Sequence, residues 1–198
     1  MNQPDPEELD RFWNKDYSQR MACTLPTNDP VLSWIEPYLP TATEGSSVFE
    51  VGCCSGRFFR YFGGRGYKLN GIDFIADVET LGEDLASEGF STGNFYQEDF
   101  TRFEIYQRFS VVCSFGFIEH FEQYLDILQK HVDLLEPGGK LIVEGPNFRG
   151  VLQGLMHRFA DSANYKRHCI KAMNLKSWIS LLKNNGLEIE KVGPIGGF

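Results

Sequence analysis

The sequence predicts an α/β fold, a doubly wound and mostly parallel sheet with helices on both faces. Three observations carry that prediction. From residue 47 onward, short apolar runs alternate with amphipathic stretches of helical period. Glycine or acidic residues cluster where the runs stop, and no internal repeat or low-complexity tract interrupts the rhythm. The chain has 198 residues, the size of one domain, so a single unit over 1–198 is expected.

The elements follow in order. Pro4 and Pro6 before Glu7 and Glu8 suit a helix start, so a helix is expected from about residue 6 to about 20. A second helix is expected over 30–39, with Pro30 in its first turn. After the polar turn 41–46, Ser47 to Val51 is an apolar run stopped by glycine, a buried strand. A helix over 56–64 precedes a second strand over 67–72 that ends at Asp73. The helix over 76–88 stops at Gly89, a good C-terminal signal. Residues 91–96 give a weak third strand and 109–114 a strong fourth. Tyr124, Leu125, Leu128, Val132 and Leu135 mark a helix over 121–135, which Pro137-Gly138-Gly139 breaks before a fifth strand over 140–144. The helix over 174–185 ends at Gly186, and residues 187–192 read as a sixth strand. Within the single domain, 1–46 is expected as a helical cap, 47–146 as a ligand-binding core, 147–173 as an insert and 174–198 as the last helix and strand.

Composition narrows the function classes. Hydrophobic residues make up 42% and charged residues 23%, which excludes wholesale disorder. No apolar run reaches the ~18 residues of a spanning helix, and the acidic start (Asp5, Glu7, Glu8, Asp10) is unlike a signal peptide. Five cysteines in no paired spacing suit reduced thiols rather than a disulfide or zinc framework, so a cytoplasmic protein without a metal is expected. A formal charge of −8 argues against a nucleic-acid partner. Residues 149–198 nonetheless carry eight Lys/Arg against three acids, and either balance the acidic core as a solvated face or lie over a pocket for an anion.

Ligands of such sheets bind beyond the C-terminal ends of the strands, so the chemistry is sought there. The first strand leads into Glu50-Val51-Gly52-Cys53-Cys54-Ser55-Gly56, a turn whose backbone N–H groups can approach a ligand closely. A dinucleotide turn needs glycine at 52, 54 and 57, and Cys54 and Arg57 fail that test. Asp73 stands 21 residues after Gly52, where an acid can accept hydrogen bonds from ribose hydroxyls. Asp99 and Phe100 follow the third strand, a carboxylate for an exocyclic amine beside a ring that can pack on a base. After the fourth strand comes Phe117-Ile118-Glu119-His120-Phe121, and after a helix Leu134-Leu135-Glu136-Pro137-Gly138-Gly139-Lys140.

In order and spacing these phrases resemble the core of a class I S-adenosylmethionine-dependent methyltransferase over residues 47–146, nearest in texture to the small-molecule, quinone-biosynthesis-like group. A weaker match runs through 174–192. The resemblance implies a Rossmann-like sheet, an N-terminal helical segment, a helical lid after strand five, and S-adenosyl-L-methionine as cofactor. It implies that Glu50, Gly52 and Gly56 form the turn beneath the methionine part, lined by Cys53 and Cys54. Asp73, with Phe74 beside it, would hold the ribose; Asp99 and Phe100 would flank the adenine. Ser114, Phe115 and Phe117 would wall the methyl side. Two departures stand out: Cys54 replaces the family's middle glycine, and the family's seventh strand, expected between the fifth and sixth, would lie beyond Phe198. The gene product is therefore expected to continue, because strand six would otherwise be an open edge inviting a second copy. A monomer or homodimer is expected.

The implied reaction moves a methyl group to a small-molecule acceptor, with His120 and His168 as candidate bases and His131 and His157 expected at the surface. Trp13, Tyr17, Arg149 and Arg158 are candidate acceptor contacts. The insert's apolar face (Phe148, Leu152, Leu155, Met156, Phe159) beside Lys166 and Arg167 suits an acidic, partly apolar acceptor. The alternative, motivated by Cys54, is an inactive cofactor-binding or regulatory module. No Asn-Pro-Pro-Tyr-like phrase follows strand four, which speaks against RNA or protein methylation.

Overall fold

The computed structural model describes residues 25–26, 28–54, 56–75, 77–146 and 168–195. The expected helix over 6–20 and most of the insert, 147–167, lie outside them.

Asp29 starts the first described helix, α1 (Pro30–Ile35). Its Oδ1 accepts the N–H groups of Val31 at 2.8 Å and Leu32 at 3.4 Å, and Pro30 fills a position that needs no donor. The helix then tightens into a 3-10 turn at Glu36–Tyr38. From there strands and helices alternate: β1 (Ser47–Val51), α2 (Phe59–Gly64), β2 (Lys68–Asp73), α3 (Val78–Ser87), β3 (Thr92–Gln97), β4 (Phe109–Phe115), α4 (Tyr124–Asp133), β5 (Leu135–Glu144) and α5 (Leu175–Asn184). Short 3-10 helices at Ile118–His120 and Ile170–Met173 lie between them.

The five strands form one parallel sheet in the order β3-β2-β1-β4-β5. Period-two alternation along the strands builds a core on each face. Val48, Leu69, Val111 and Cys113 meet Leu32, Phe59, Phe62, Leu81 and Leu85 of α1, α2 and α3 on one side. Phe49, Val51, Ile72 and Val112 meet Ile127, Leu128 and Trp178 of α4 and α5 on the other. The expected doubly wound architecture is therefore present. The chain leaves β1 towards β2 on one side and returns as β4 on the other, which opens a crevice at the C-terminal ends between β1 and β4.

Two expectations are corrected. Pro137-Gly138-Gly139 does not separate a helix from a strand starting at 140. The β4–β5 ladder already pairs Phe109 with Leu135, resumes at Val111 with Lys140, and bulges out the residues between. Gly138 takes φ 80°, and a Cβ on Gly139 would lie 3.0–3.2 Å from three carbonyl oxygens, so the bulge is built on glycine. Residues 187–192 do not form a sixth strand. A strand needs a neighbour for its N–H and C=O groups, and the described residues offer these none. Side chains hold the segment instead: Leu187 packs on the second core, Glu190 pairs with Lys140, and Lys191 sits 6.0 Å from the Trp34 ring.

Among the described residues no helix is long and apolar enough to cross a membrane.

Candidate active site

The turn after β1 is locked to the end of β2. Gly52 and Cys53 N–H groups both donate to the Ile72 carbonyl, at 2.9 and 3.3 Å, and Cys54 N–H donates to Asp73 Oδ2 at 2.9 Å. Asp73 Oδ1 accepts the Ile75 N–H at 3.2 Å. One carboxylate thus ties two strand ends together and keeps lone pairs for further donors. Gly52 (φ 71°) and Gly56 (φ 63°) are left-handed, and a Cβ would come within 2.6 Å of the Phe117 ring at the first and 2.4 Å of Leu81 at the second. Only glycine fits there. Cys53 and Cys54 are buried beneath the turn.

Acids collect around this turn. Glu50 is buried, and its Oε2 has no hydrogen-bond partner among the described residues. Burial first, then the negative charge of Asp73, push the Glu50 carboxyl well above the carboxylate range, against the pull of Arg57. Burial also raises Asp73, against backbone N–H donors that lower it. At the end of β5, burial raises Glu144, with Arg57 opposing and Asp29 adding to it. Arg57 Nη2 meets Asp29 Oδ2 at 3.1 Å. Ser114 near the end of β4 is buried, and its Oγ has no partner among the described residues.

The aromatic residues divide. Phe74, next to Asp73, is 41% exposed although it is a large apolar ring. Phe100 is buried in the second core, edge-on to Phe117 at 6.0 Å and to His131 at 5.1 Å. Asp99 beside it is half exposed and accepts the N–H and hydroxyl of Thr101 at 2.9 and 2.7 Å. Phe115 stacks on Phe58, and Phe117 presses on Gly52.

Beyond β4, His120 and His168 come together with ring centroids 4.7 Å apart. Glu119 lies beside them, buried between Gly116 and Gly145, and burial raises its carboxyl to about 8. The Cys169 N–H donates to the Glu119 carbonyl at 2.7 Å, which docks the segment after the insert onto the Ile118–His120 turn. His131 is not at the surface as expected. It is fully buried, because Ile127, Leu128 and His131 share the core stripe of α4.

Sequence reasoning did not single out Asp29 or Glu144 and used Arg57 only to reject a dinucleotide turn. Asp-Pro at a helix start was the available signal for Asp29. Trp13, Tyr17, His157, Arg149 and Arg158 lie outside the described residues.

A methyltransferase domain family model matches residues 20–192. The chain belongs to that family. This methyltransferase has no match among curated proteins. Its fold is that of solved methyltransferases. A Bacillus halodurans C-125 protein assigned as a methyltransferase is 18% identical, with a TM-score of 0.63 over 81% of this chain and 70% of that one. The plantazolicin methyltransferase BpumL, solved with a triazolic desmethylPZN analog and SAH, is 18% identical with a TM-score of 0.62 over 91% and 70%. The described residues fit S-adenosylmethionine, the cofactor the sequence resemblance implies: the crevice presents the Glu50 oxygen that has no partner among them, a glycine cradle and the strand-end acid Asp73.

Proposed function

We propose that this methyltransferase acts on a small-molecule acceptor and that the residues at the ends of β1, β2 and β4 hold the cofactor. The observation that carries this reading is the pairing of an orphaned buried carboxylate, Glu50, with the Asp73-tied glycine turn. Bound there, S-adenosylmethionine supplies an activated methyl on a sulfonium.

The chain's own residues do the rest. Gly52 and Gly56 let the backbone close on the methionine part, with Cys53, Cys54 and Glu50 beneath it. Cys54 serves in place of a glycine because it contributes its N–H to Asp73 and buries a small side chain. The free lone pairs of Asp73 accept the ribose hydroxyls. Phe74 offers an exposed face for adenine, while Asp99 accepts its amino group and Phe100 backs the pocket from the core. Ser114, Phe115 and Phe117 wall the side where the methyl leaves. His120 or His168, beyond β4, takes the acceptor's proton, and positioning supplies the larger share of the rate.

The acceptor's acidic, partly apolar character rests on the sequence of the insert, with Arg149 and Arg158 pairing its charge and Trp13 and Tyr17 covering it. BpumL, whose complex holds a triazolic desmethylPZN analog with SAH, supports an organic acceptor. Titration calorimetry tests the reading: wild type binds S-adenosylmethionine, and Asp73→Ala weakens it at least about tenfold, since each hydrogen bond to a charged group is worth roughly 1.5–3 kcal/mol. Wild type that binds neither S-adenosylmethionine nor SAH overturns it.

A further inference from the structure

Sequence spacing gave no reason to expect a metal, because Glu119 and His120 stand 49 and 48 residues from His168. The fold brings the three together. One ligand atom from each lies within 4.8 Å of the others. The His120 Nε2 is 4.0 Å from Glu119 Oε1. An ion with ligands at ~2.1 Å sets neighbouring ligand atoms roughly 3–3.5 Å apart, so closure needs side-chain movements of about 1 Å.

We propose that Glu119, His120 and His168 form a site for one divalent transition-metal ion of the zinc class, beyond the C-terminal ends of β4 and β5. Three further observations support it. Glu119 Oε2 is buried and unpartnered among the described residues, a position that costs free energy unless a cation or donor completes it. Gly145 flanks this oxygen, where an added Cβ would lie 3.1 Å from it, and Gly116 flanks Oε1 with 3.5 Å, so the carboxylate is closely walled. The backbone bond from Cys169 to Glu119 fixes the two ligand-bearing segments against one another. Two imidazoles and a carboxylate suit zinc and its transition-metal neighbours, whereas magnesium prefers all-oxygen shells.

Three protein ligands leave a position for an exogenous oxygen. The proposal rests on the methyltransferase reading only for its role there. With both imidazoles coordinated neither acts as the base, and the ion replaces the histidine base by binding the acceptor oxygen and lowering its pKa, so the proton is lost to solvent before methyl transfer. Binding itself is independent of that reading.

The full chain is stripped with EDTA and titrated calorimetrically with zinc chloride alone. One equivalent binds to wild type, and His120→Ala and His168→Ala each weaken it at least about tenfold. A folding-independent measurement uses wild type alone: cobalt(II) gains visible d–d absorption of a protein-bound ion, and one equivalent of zinc abolishes it. Wild type that leaves cobalt in its aqueous spectrum, or a His120→Ala/His168→Ala double variant that binds zinc like wild type, overturns the site. A parallel SAH titration separates the two readings. SAH binding without zinc binding removes the metal site and leaves the methyltransferase reading standing; zinc binding without SAH binding does the reverse.

Discussion

A neutral imidazole in an apolar core couples folding to protonation, and His131 is such a group. Its Nδ1 bonds to the Ile127 carbonyl at 2.8 Å, its Nε2 has no partner among the described residues, and Phe100 and Phe117 enclose it. Burial lowers its pKa from 6.5 to about 4. The unfolded chain therefore binds the proton first as pH falls, so the stability tied to the neutral ring is complete above the ordinary value and is lost on the way down to pH 4. Between about pH 7 and about pH 5 the loss amounts to roughly 2 kcal/mol. Urea unfolding of wild type and His131→Leu at both pH values measures it. Wild type should lose about that much more than the variant, and parallel losses would refute the assignment. The sequence placed this histidine at the surface because its residue type is polar; only the packing of α4 against Phe100 and Phe117 reveals where it points.

At the level of elements, the approach of the β1 turn to β2 sets a tight limit. A Cβ on Gly71 would lie 2.6 Å from Cys53 Sγ and 3.0 Å from Phe59, so Gly71→Ala must displace the turn. Overpacking of this kind costs ~1–3 kcal/mol, a fall in Tm of several degrees at this size. Gly64→Ala is the matched control: it ends α2 with nothing within 4 Å, and should be neutral or stabilising by up to about 1 kcal/mol. Equal melting temperatures for the two variants would contradict the packing account. Strands β1, β2 and β4 were legible because each buries a short run and then stops at glycine or acid, whereas β3, which has no fully buried residue, gave only a weak signal. Equally legible was the placing of Glu50, Gly52, Gly56 and Asp73 around one turn, since each stands at such a stop. The start of β5 was not, since Pro137-Gly138-Gly139 reads locally as a break while the ladder to Phe109 is long-range. The Arg57–Asp29 pair and the meeting of His120 with His168 were hidden for the same reason: spacing along the chain does not say which distant segments the fold brings together, and the second depends on the docking of Cys169 onto Glu119.

Across the whole molecule, acids dominate the crevice as they dominate the charge balance of −8. Glu50 and Asp73 have raised pKa values, so the folded protein holds protons that the unfolded chain has already released. Stability from these groups is greatest below the ordinary carboxylate value and declines as pH rises through the raised ones. A cationic cofactor wants them ionised, so its binding expels protons. Affinity for S-adenosylmethionine should therefore rise as pH climbs above the ordinary carboxylate range through the raised values, with net proton release seen as a buffer-dependent calorimetric enthalpy. A flat profile with no proton release would show that these carboxyls do not face the ligand. The strand order has a consequence in time as well. β1 pairs with β2 soon after both are made, but its other edge must wait for β4, whose pairing residues lie 63 positions further on. At a synthesis rate of ~5–20 residues per second that edge goes without its neighbour for roughly 3–13 s. A strand that lacks its neighbour is open to pairing with another chain, and an acid near its end, where Glu50 stands in β1, discourages that.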